Sequence, residues 1–168
     1  MAKERMIELL FELLKNSKRS DRELSKILKV SQPTITRTRR KLEKTGYIKE
    51  YTVIPDFAKL GFELIAFIFT NIAVYNPKTG ITDTEGAKKC LDWLEKNPNV
   101  VFCAEGDGLK GKNCMIVSLH RSFTEFTNFV TDFRAKWSGQ VLDIESFLVS
   151  LKTGMAKCFT FKHIPKIP

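Results

Sequence analysis

The stretch SDRELSKILKVSQPTITRTRRKLEKTGYI, residues 20–48, carries two helix starts separated by a short connection. Ser20 followed three residues later by Glu23 is a capping box: the hydroxyl accepts from the Glu23 amide while the carboxylate reaches back to the Ser20 amide. Leu24, Ile27 and Leu28 then supply an apolar stripe at helical spacing. After Lys29 and Val30, Ser31 is a second N-cap residue, and Pro33 falls in the first turn, where a missing amide hydrogen costs nothing. The spacing predicts a helix over Gln32 to Lys44 whose inner side is Ile35 and Leu42, two turns apart, with Thr36, Arg37, Arg40 and Lys41 turned away. Gly46 is its expected stop.

Working outward, Met6, Ile7, Leu9, Leu10, Leu13 and Leu14 form a wide apolar face that predicts a preceding helix over Lys3 to Lys15, broken at Asn16-Ser17-Lys18. On the other side, Tyr47, Ile48, Tyr51 and Val53 among Lys49, Glu50 and Thr52 read as a strand, a wing closed by Pro55-Asp56. Phe57 to Gly61 reads as a linker, which sets residues 1–61 as a winged helix-turn-helix domain with its hinge. Charge follows the same division. Residues 1–61 hold fifteen Lys and Arg against eight Asp and Glu, a net +7, whereas residues 62–168 hold thirteen against eleven, a net +2. Concentrated positive charge is what a phosphate-facing module requires.

Residues 62–168 alternate in the order strand (Leu64 to Val74), helix (Glu85 to Lys96), strand (Val100 to Glu105), strand (Asn113 to Leu119), helix (Phe123 to Trp137) and strand (Val141 to Leu151). This is the β-α-β-β-α-β order of a ferredoxin-like domain, so the fold class is α+β. Turn residues 76–80, the glycines of 106–111 and a capping box at Ser122-Phe123-Thr124-Glu125 mark the joints. The stretch Met155 to Lys162 alternates and reads as an added edge strand. The first strand, Leu64-Ile65-Ala66-Phe67-Ile68-Phe69, is apolar on both faces although helices cover only one face of such a sheet; self-association is the expected cover for the other.

Cys90, Cys103, Cys114 and Cys158 lie far apart with no C-x-x-C pair, and only His120 and His163 accompany them. They read as small buried hydrophobes in a reducing compartment, with no zinc site, disulfide or cofactor expected. The longest apolar run is strand-sized and the N-terminus has no cleavable apolar core, so the cytoplasm is expected and a membrane is not.

Leu28-Lys29-Val30-Ser31, Thr34-Ile35, Leu42-Glu43-Lys44-Thr45-Gly46-Tyr47-Ile48, Tyr51 and Leu60-Gly61, set before the ferredoxin-like unit, resemble the helix-turn-helix and hinge pattern of the leucine-responsive/asparagine-regulator (Lrp/AsnC) family of transcriptional regulators. The resemblance implies homodimers paired sheet to sheet, further assembly into octamers, and loosely palindromic operators in double-stranded DNA. It also implies an amino-acid or other small effector near the loop joining the second and third strands, here Glu105, Gly106, Asp107, Gly108 and Leu109. Two positions depart from the pattern. Thr38-Arg39 stand where relatives place an Arg and an aliphatic residue, which turns Arg39 toward phosphate in this reading, and Gly108-Leu109 stand where an aromatic and an acid are common.

A recognition helix enters the major groove by its N-terminal turns. Gln32, Thr36, Arg37 and Arg40 are therefore the candidate base-edge residues, with Gln32 and Arg37 the sharpest, because Gln pairs bidentately with adenine and Arg with guanine. Arg40, Lys41 and Lys49 suit phosphates, and Ser31, Thr34 and Arg39 complete the DNA-facing set. An architectural binder without sequence preference is one alternative. Another is an enzyme resembling the sirohaem decarboxylases, which share this architecture but need clustered histidines and arginines; the Glu105 and Asp107 pair has no nucleophile or metal ligand beside it and reads as a turn.

Overall fold

The computed structural model describes residues 2–76, 80–108, 110–153, 157 and 159–164. The chain divides into two compact units, residues 1–54 with 157–168, and residues 55–156. The division thus falls at Pro55, before the expected hinge at Gly61.

In the first unit, α1 (Ala2–Lys15), α2 (Asp21–Leu28) and α3 (Gln32–Lys44) enclose one small core of Met6, Leu9, Leu13, Leu24, Ile35 and Leu42, with Leu10, Leu28, Val30 and Ile48 packed at its margin. The capping box at Ser20 forms as expected, with the Glu23 amide donating to Ser20 Oγ at 3.3 Å and the Ser20 amide donating to Glu23 Oε2 at 2.7 Å. Lys29 closes α2 in the left-handed region (φ 53°) and its amide donates to the Ser25 carbonyl, which makes the turn into α3 tight. Gly46 ends α3 with φ +76°, and a Cβ there would meet nothing within 4 Å. Replacement of Gly46 by alanine should therefore cost only the left-handed backbone term, about 1 kcal/mol; chemical denaturation followed by far-UV circular dichroism measures it, and an unchanged midpoint would refute the reading.

The expected strand over Tyr47 to Val53 does not form. A strand needs a hydrogen-bonded neighbour, and none of the described residues pairs with this segment. Ile48 instead donates its amide to the Leu42 carbonyl (3.2 Å) and packs on the helical core.

The second unit contains β1 (Leu64–Ile72), a short ribbon of β2 (Tyr75–Asn76) and β3 (Ile81–Thr82), α4 (Thr84–Lys96), β4 (Val100–Gly108), β5 (Lys112–His120), α5 (Phe123–Lys136) and β6 (Val141–Ser150). The main sheet has order β4-β5-β1-β6, antiparallel throughout, which is the ferredoxin-like arrangement. The ribbon was not expected: β1 stops at Ile72, before the Val74 end that its composition suggests. The proposed strand from Met155 to Lys162 falls partly on residues 155, 156 and 158, outside the described set; residues 157 and 159–162 form none.

One face of the sheet packs against the helices. Ala66, Ile68 and Ile72 of β1 and Cys114 and Ile116 of β5 meet Ala87, Cys90 and Leu94 of α4 and Phe126, Phe129 and Phe133 of α5, each helix contributing residues at three- and four-residue spacing. Trp93 stacks on Phe129 and Phe133 at 6.0 and 5.7 Å between centroids. His120 is wholly buried against Phe126 and Phe129, with Nε2 2.8 Å from Ser118 Oγ, and burial pushes its imidazole pKa down, keeping it neutral.

The opposite face is mostly uncovered. Phe57 and Phe62, in the turns before β1, shield Ile65, Val117 and Leu119 at one end. Beyond them, Phe67, Phe69 and Met115 are only half-buried, while Phe102 and Phe147 are 48% and 65% exposed. Phe67 and Phe147 are register partners across β1 and β6, and Phe102 is the register partner of Val117 on β5, so these side chains share one sheet face.

Candidate nucleic-acid interface

The side chains of α3 divide by their position around the helix. Ile35 and Leu42 are buried, and Arg39 lies four residues after the first and three before the second, on the same inner stripe. A guanidinium there needs a partner, because an uncompensated charge out of water is costly. Asp21, at the first position of α2, supplies it: Arg39 Nε and Nη2 both donate to Asp21 Oδ1, at 3.0 and 2.8 Å. Nη2 also donates to the Arg19 carbonyl at 3.3 Å. Thr36 Oγ1 donates to the other carboxylate oxygen of Asp21 at 2.6 Å. Burial acts to raise the Asp21 pKa, but the hydrogen bonds from Thr36 and Arg39 and the Arg39 charge outweigh it and hold the carboxyl below its ordinary value.

Tyr51 closes this network. Its hydroxyl donates to Glu43 Oε1 at 2.8 Å, and its proximity together with that of Asp21 raises the Arg39 guanidinium pKa against the opposing effect of burial. Arg39 is thus turned inward and held by α2, not bent toward phosphate as the sequence suggests. Asp21 escaped the sequence reading as a site residue. The available signal was an acid at a helix start facing a cation on the apolar stripe of the next helix.

Thr36, expected to turn away, instead faces α2 through its bond to Asp21, whereas most of the remaining candidates are turned to solvent. Ser31, Gln32, Arg37, Arg40, Lys41 and Lys49 are exposed, and Thr34 and Thr36 are half-buried. Ser31 makes no backbone cap; its hydroxyl shares a 2.7 Å hydrogen bond with Thr34 Oγ1, leaving the first amides of α3 without a side-chain partner from the N-cap. Arg37 Nε rests on the Pro33 carbonyl at 3.3 Å, which keeps its stem along the helix and its outer nitrogens free for a ligand. Gln32 is exposed at the start of α3, and Arg40, Arg37 and Lys41 are exposed within about 100° of one another around the helix over its next turns, so solvent-facing cations flank the N-terminal turns.

Residues 4–49 match the winged helix-turn-helix DNA-binding family. The chain is 32% identical over 132 residues to the HTH-type transcriptional regulator LrpC of Bacillus subtilis, covering 79% of this chain and 81% of LrpC. The chain belongs to the Lrp/AsnC family. As a member of that family it is a DNA-binding transcriptional regulator. The HTH-type transcriptional regulator FL11 of Pyrococcus horikoshii is 36% identical over 123 residues, 62% of this chain and 82% of FL11. The fold of this chain agrees with the solved structure of LrpC at a TM-score of 0.66, with 25% identity over 86% of this chain and 91% of LrpC. A transcriptional regulator from Neisseria meningitidis, NMB0573, described as a complex with L-Met, superposes at 0.77 over 97% of this chain and 94% of its own, with 20% identity.

The candidate effector residues are arranged differently from expectation. Glu105, Gly106, Asp107 and Gly108 are not in a loop but continue β4, and Gly108 pairs with Lys112 at the start of β5; Leu109 lies outside the described residues. Glu105, Gly106 and Asp107 are exposed. Close by in sequence, Lys112 is almost fully buried and ion-paired with Asp143 and Glu145 of β6. Among the described residues no helix is long and apolar enough to cross a membrane.

Proposed function

We propose that the protein acts in the cytoplasm as a homodimer, joined through the open face of its sheet, that reads a two-fold operator with the exposed N-terminal turns of α3. The observation that carries this reading is the set of Phe67, Phe69, Phe102 and Phe147 on a sheet face that no described helix of its own unit covers. A patch of this kind in a regulator with one recognition helix per chain supports pairing about a two-fold axis. Half-sites are then expected about 10 bp or a multiple apart. Further assembly of dimers, up to an octamer, extends the same proposal.

Within each half-site, Gln32 and Arg37 reach base edges, with Ser31 and Thr34 beside them; Arg40, Lys41 and Lys49 hold phosphates; Arg39 and Thr36 position α3 from behind through Asp21. Arg37→Ala should weaken operator binding by about 1–3 kcal/mol and relax preference at one position, whereas Lys49→Ala should weaken operator and random duplex alike. Gel-shift titrations on both duplexes at two salt concentrations check this. Equal losses for Arg37→Ala on the two duplexes would remove it from the base-reading set, and equal wild-type affinity for both would make the protein an architectural binder.

The effector reading is that a small amino acid or similar molecule binds beside Glu105, Gly106 and Asp107, with 108 and 109 completing the site. The exposed carboxylates of Glu105 and Asp107 suit an ammonium group, and the related Neisseria regulator is described with L-Met. Calorimetric titration with the amino acids tests it; absence of heat with every one would end it.

A further inference from the structure

The sequence presents four scattered cysteines, but folding brings two of them together. Cys103 on the edge strand β4 and Cys114 on its neighbour β5 face the helix side of the sheet with their sulfurs 3.7 Å apart. Cys103 is half-buried and Cys114 fully buried. Cys90 of α4 lies in the same core, yet among the described residues no three ligating side chains converge as a metal site would require.

We propose that Cys103 and Cys114 form an oxidisable dithiol, a modification site in which Cys103 meets a peroxide and Cys114 resolves the product as an intrachain disulfide. Cys103, half-buried on the edge strand, is the thiol open to a small oxidant, whereas Cys114 is buried in the core. The two thiols also differ in acidity in the sense such a pair needs. Hydrogen bonding from Cys114 lowers the Cys103 pKa against the effect of its burial, whereas the same contact and burial raise that of Cys114; burial pushes Cys90 to about 12, which leaves it inert.

The chemistry balances with hydrogen peroxide as the two-electron oxidant. The Cys103 thiolate attacks one peroxide oxygen, the O–O bond breaks, and the leaving hydroxide takes up a proton to become water, leaving Cys103 as a sulfenic acid. The Cys114 sulfur then attacks the Cys103 sulfur, the S–O bond breaks, and the departing hydroxide leaves as a second water with the Cys114 proton. Two thiols are oxidised to one disulfide and one peroxide is reduced to two waters. The link would tie β4 to β5 two residues before Glu105, and it returns to two thiols by exchange with a dithiol reductant.

The test uses the full chain and does not depend on DNA or effector binding. The reduced protein is treated with a small excess of hydrogen peroxide, denatured, alkylated and weighed, with peptide mapping of the product. The expected product has lost two hydrogen atoms per chain, two of its four thiols resist alkylation, the mapped link joins the peptides holding Cys103 and Cys114, and dithiothreitol restores all four. The Cys158→Ser variant should give the same link. Four alkylatable thiols after treatment, a link through Cys90 or Cys158, or stepwise gain of oxygen on Cys103 without a link would each overturn the proposal.

Discussion

Replacing Phe147 by aspartate should convert the proposed dimer to monomers while leaving each chain folded. The side chain is 65% exposed in the single chain, so its loss removes little from the monomer's own core. In a dimer paired through the open sheet face it would be covered by the other copy, opposite or near that copy's Phe67 and Phe147. Fully burying a phenylalanine contributes roughly 1.5–3 kcal/mol, and a two-fold interface feels the change twice. About 3–6 kcal/mol corresponds to a dimer weaker by roughly two to four orders of magnitude, before the cost of burying a carboxylate is added. Analytical ultracentrifugation reads the result directly, and circular dichroism shows whether the monomer remains folded. Operator affinity should fall with it, because two half-sites bound by one linked pair of helices become two independent events. A variant that still sediments as the wild type does would place the interface elsewhere.

Removing the carboxylate of Asp21 should loosen the helical unit from within. Asp21→Ala leaves Arg39 without the carboxylate oxygen that accepts two of its N–H groups and Thr36 Oγ1 without its acceptor on α2. The two charged side chains are about one-fifth exposed, 19% for Arg39 and 21% for Asp21, so the loss lies between the small value of a surface pair and the several kcal/mol of a fully buried one. We expect about 2 kcal/mol, a large share of what a core built on six buried side chains provides. Both tryptophans, Trp93 and Trp137, belong to the other unit, so the effect should appear in the early part of a far-UV transition and not in tryptophan fluorescence. Binding to operator and random duplex should weaken together, since Arg39 acts by holding α3 and not by touching a base. The pH dependence follows from the depressed folded pKa of Asp21. Its contribution is fully present above the unfolded value near 3.8 and is lost as pH falls through the lower folded value, so the gap between wild type and Asp21→Ala should close in acid. A gap that persists unchanged down to pH 2 would assign the effect to something other than this ion pair.

The alternatives of a tetrapyrrole enzyme and of a passive architectural protein differ from the regulator in what they ask of particular residues. His120 sits in a phenylalanine-lined core with its Nε2 on Ser118, a packing role. The relatives that match over most of the chain are HTH-type transcriptional regulators.

Local chemistry was enough wherever a residue's partner lies within one or two helical turns. The capping box at Ser20, the N-cap at Ser122 (whose Glu125 carboxylate turns to the Arg121 amide and so leaves the expected box half-made), the span of α3 from Gln32 to Lys44, and the order of the four main strands and two helices from Leu64 onward are written in short-range spacing, because a cap or an amphipathic stripe is decided by neighbours three and four positions away. The concentration of positive charge in the first third is equally a property of the chain itself. Tertiary structure decided what depends on residues distant in sequence. The strand read at Tyr47 to Val53 lacked the partner that would make it one, and Arg39 turned inward because Asp21, eighteen positions earlier, stands against its stripe. Cys103 and Cys114 became a pair only when β4 was laid antiparallel to β5. Periodicity tells which way a side chain points along its own element; what waits there for it is chosen by the packing of elements against one another.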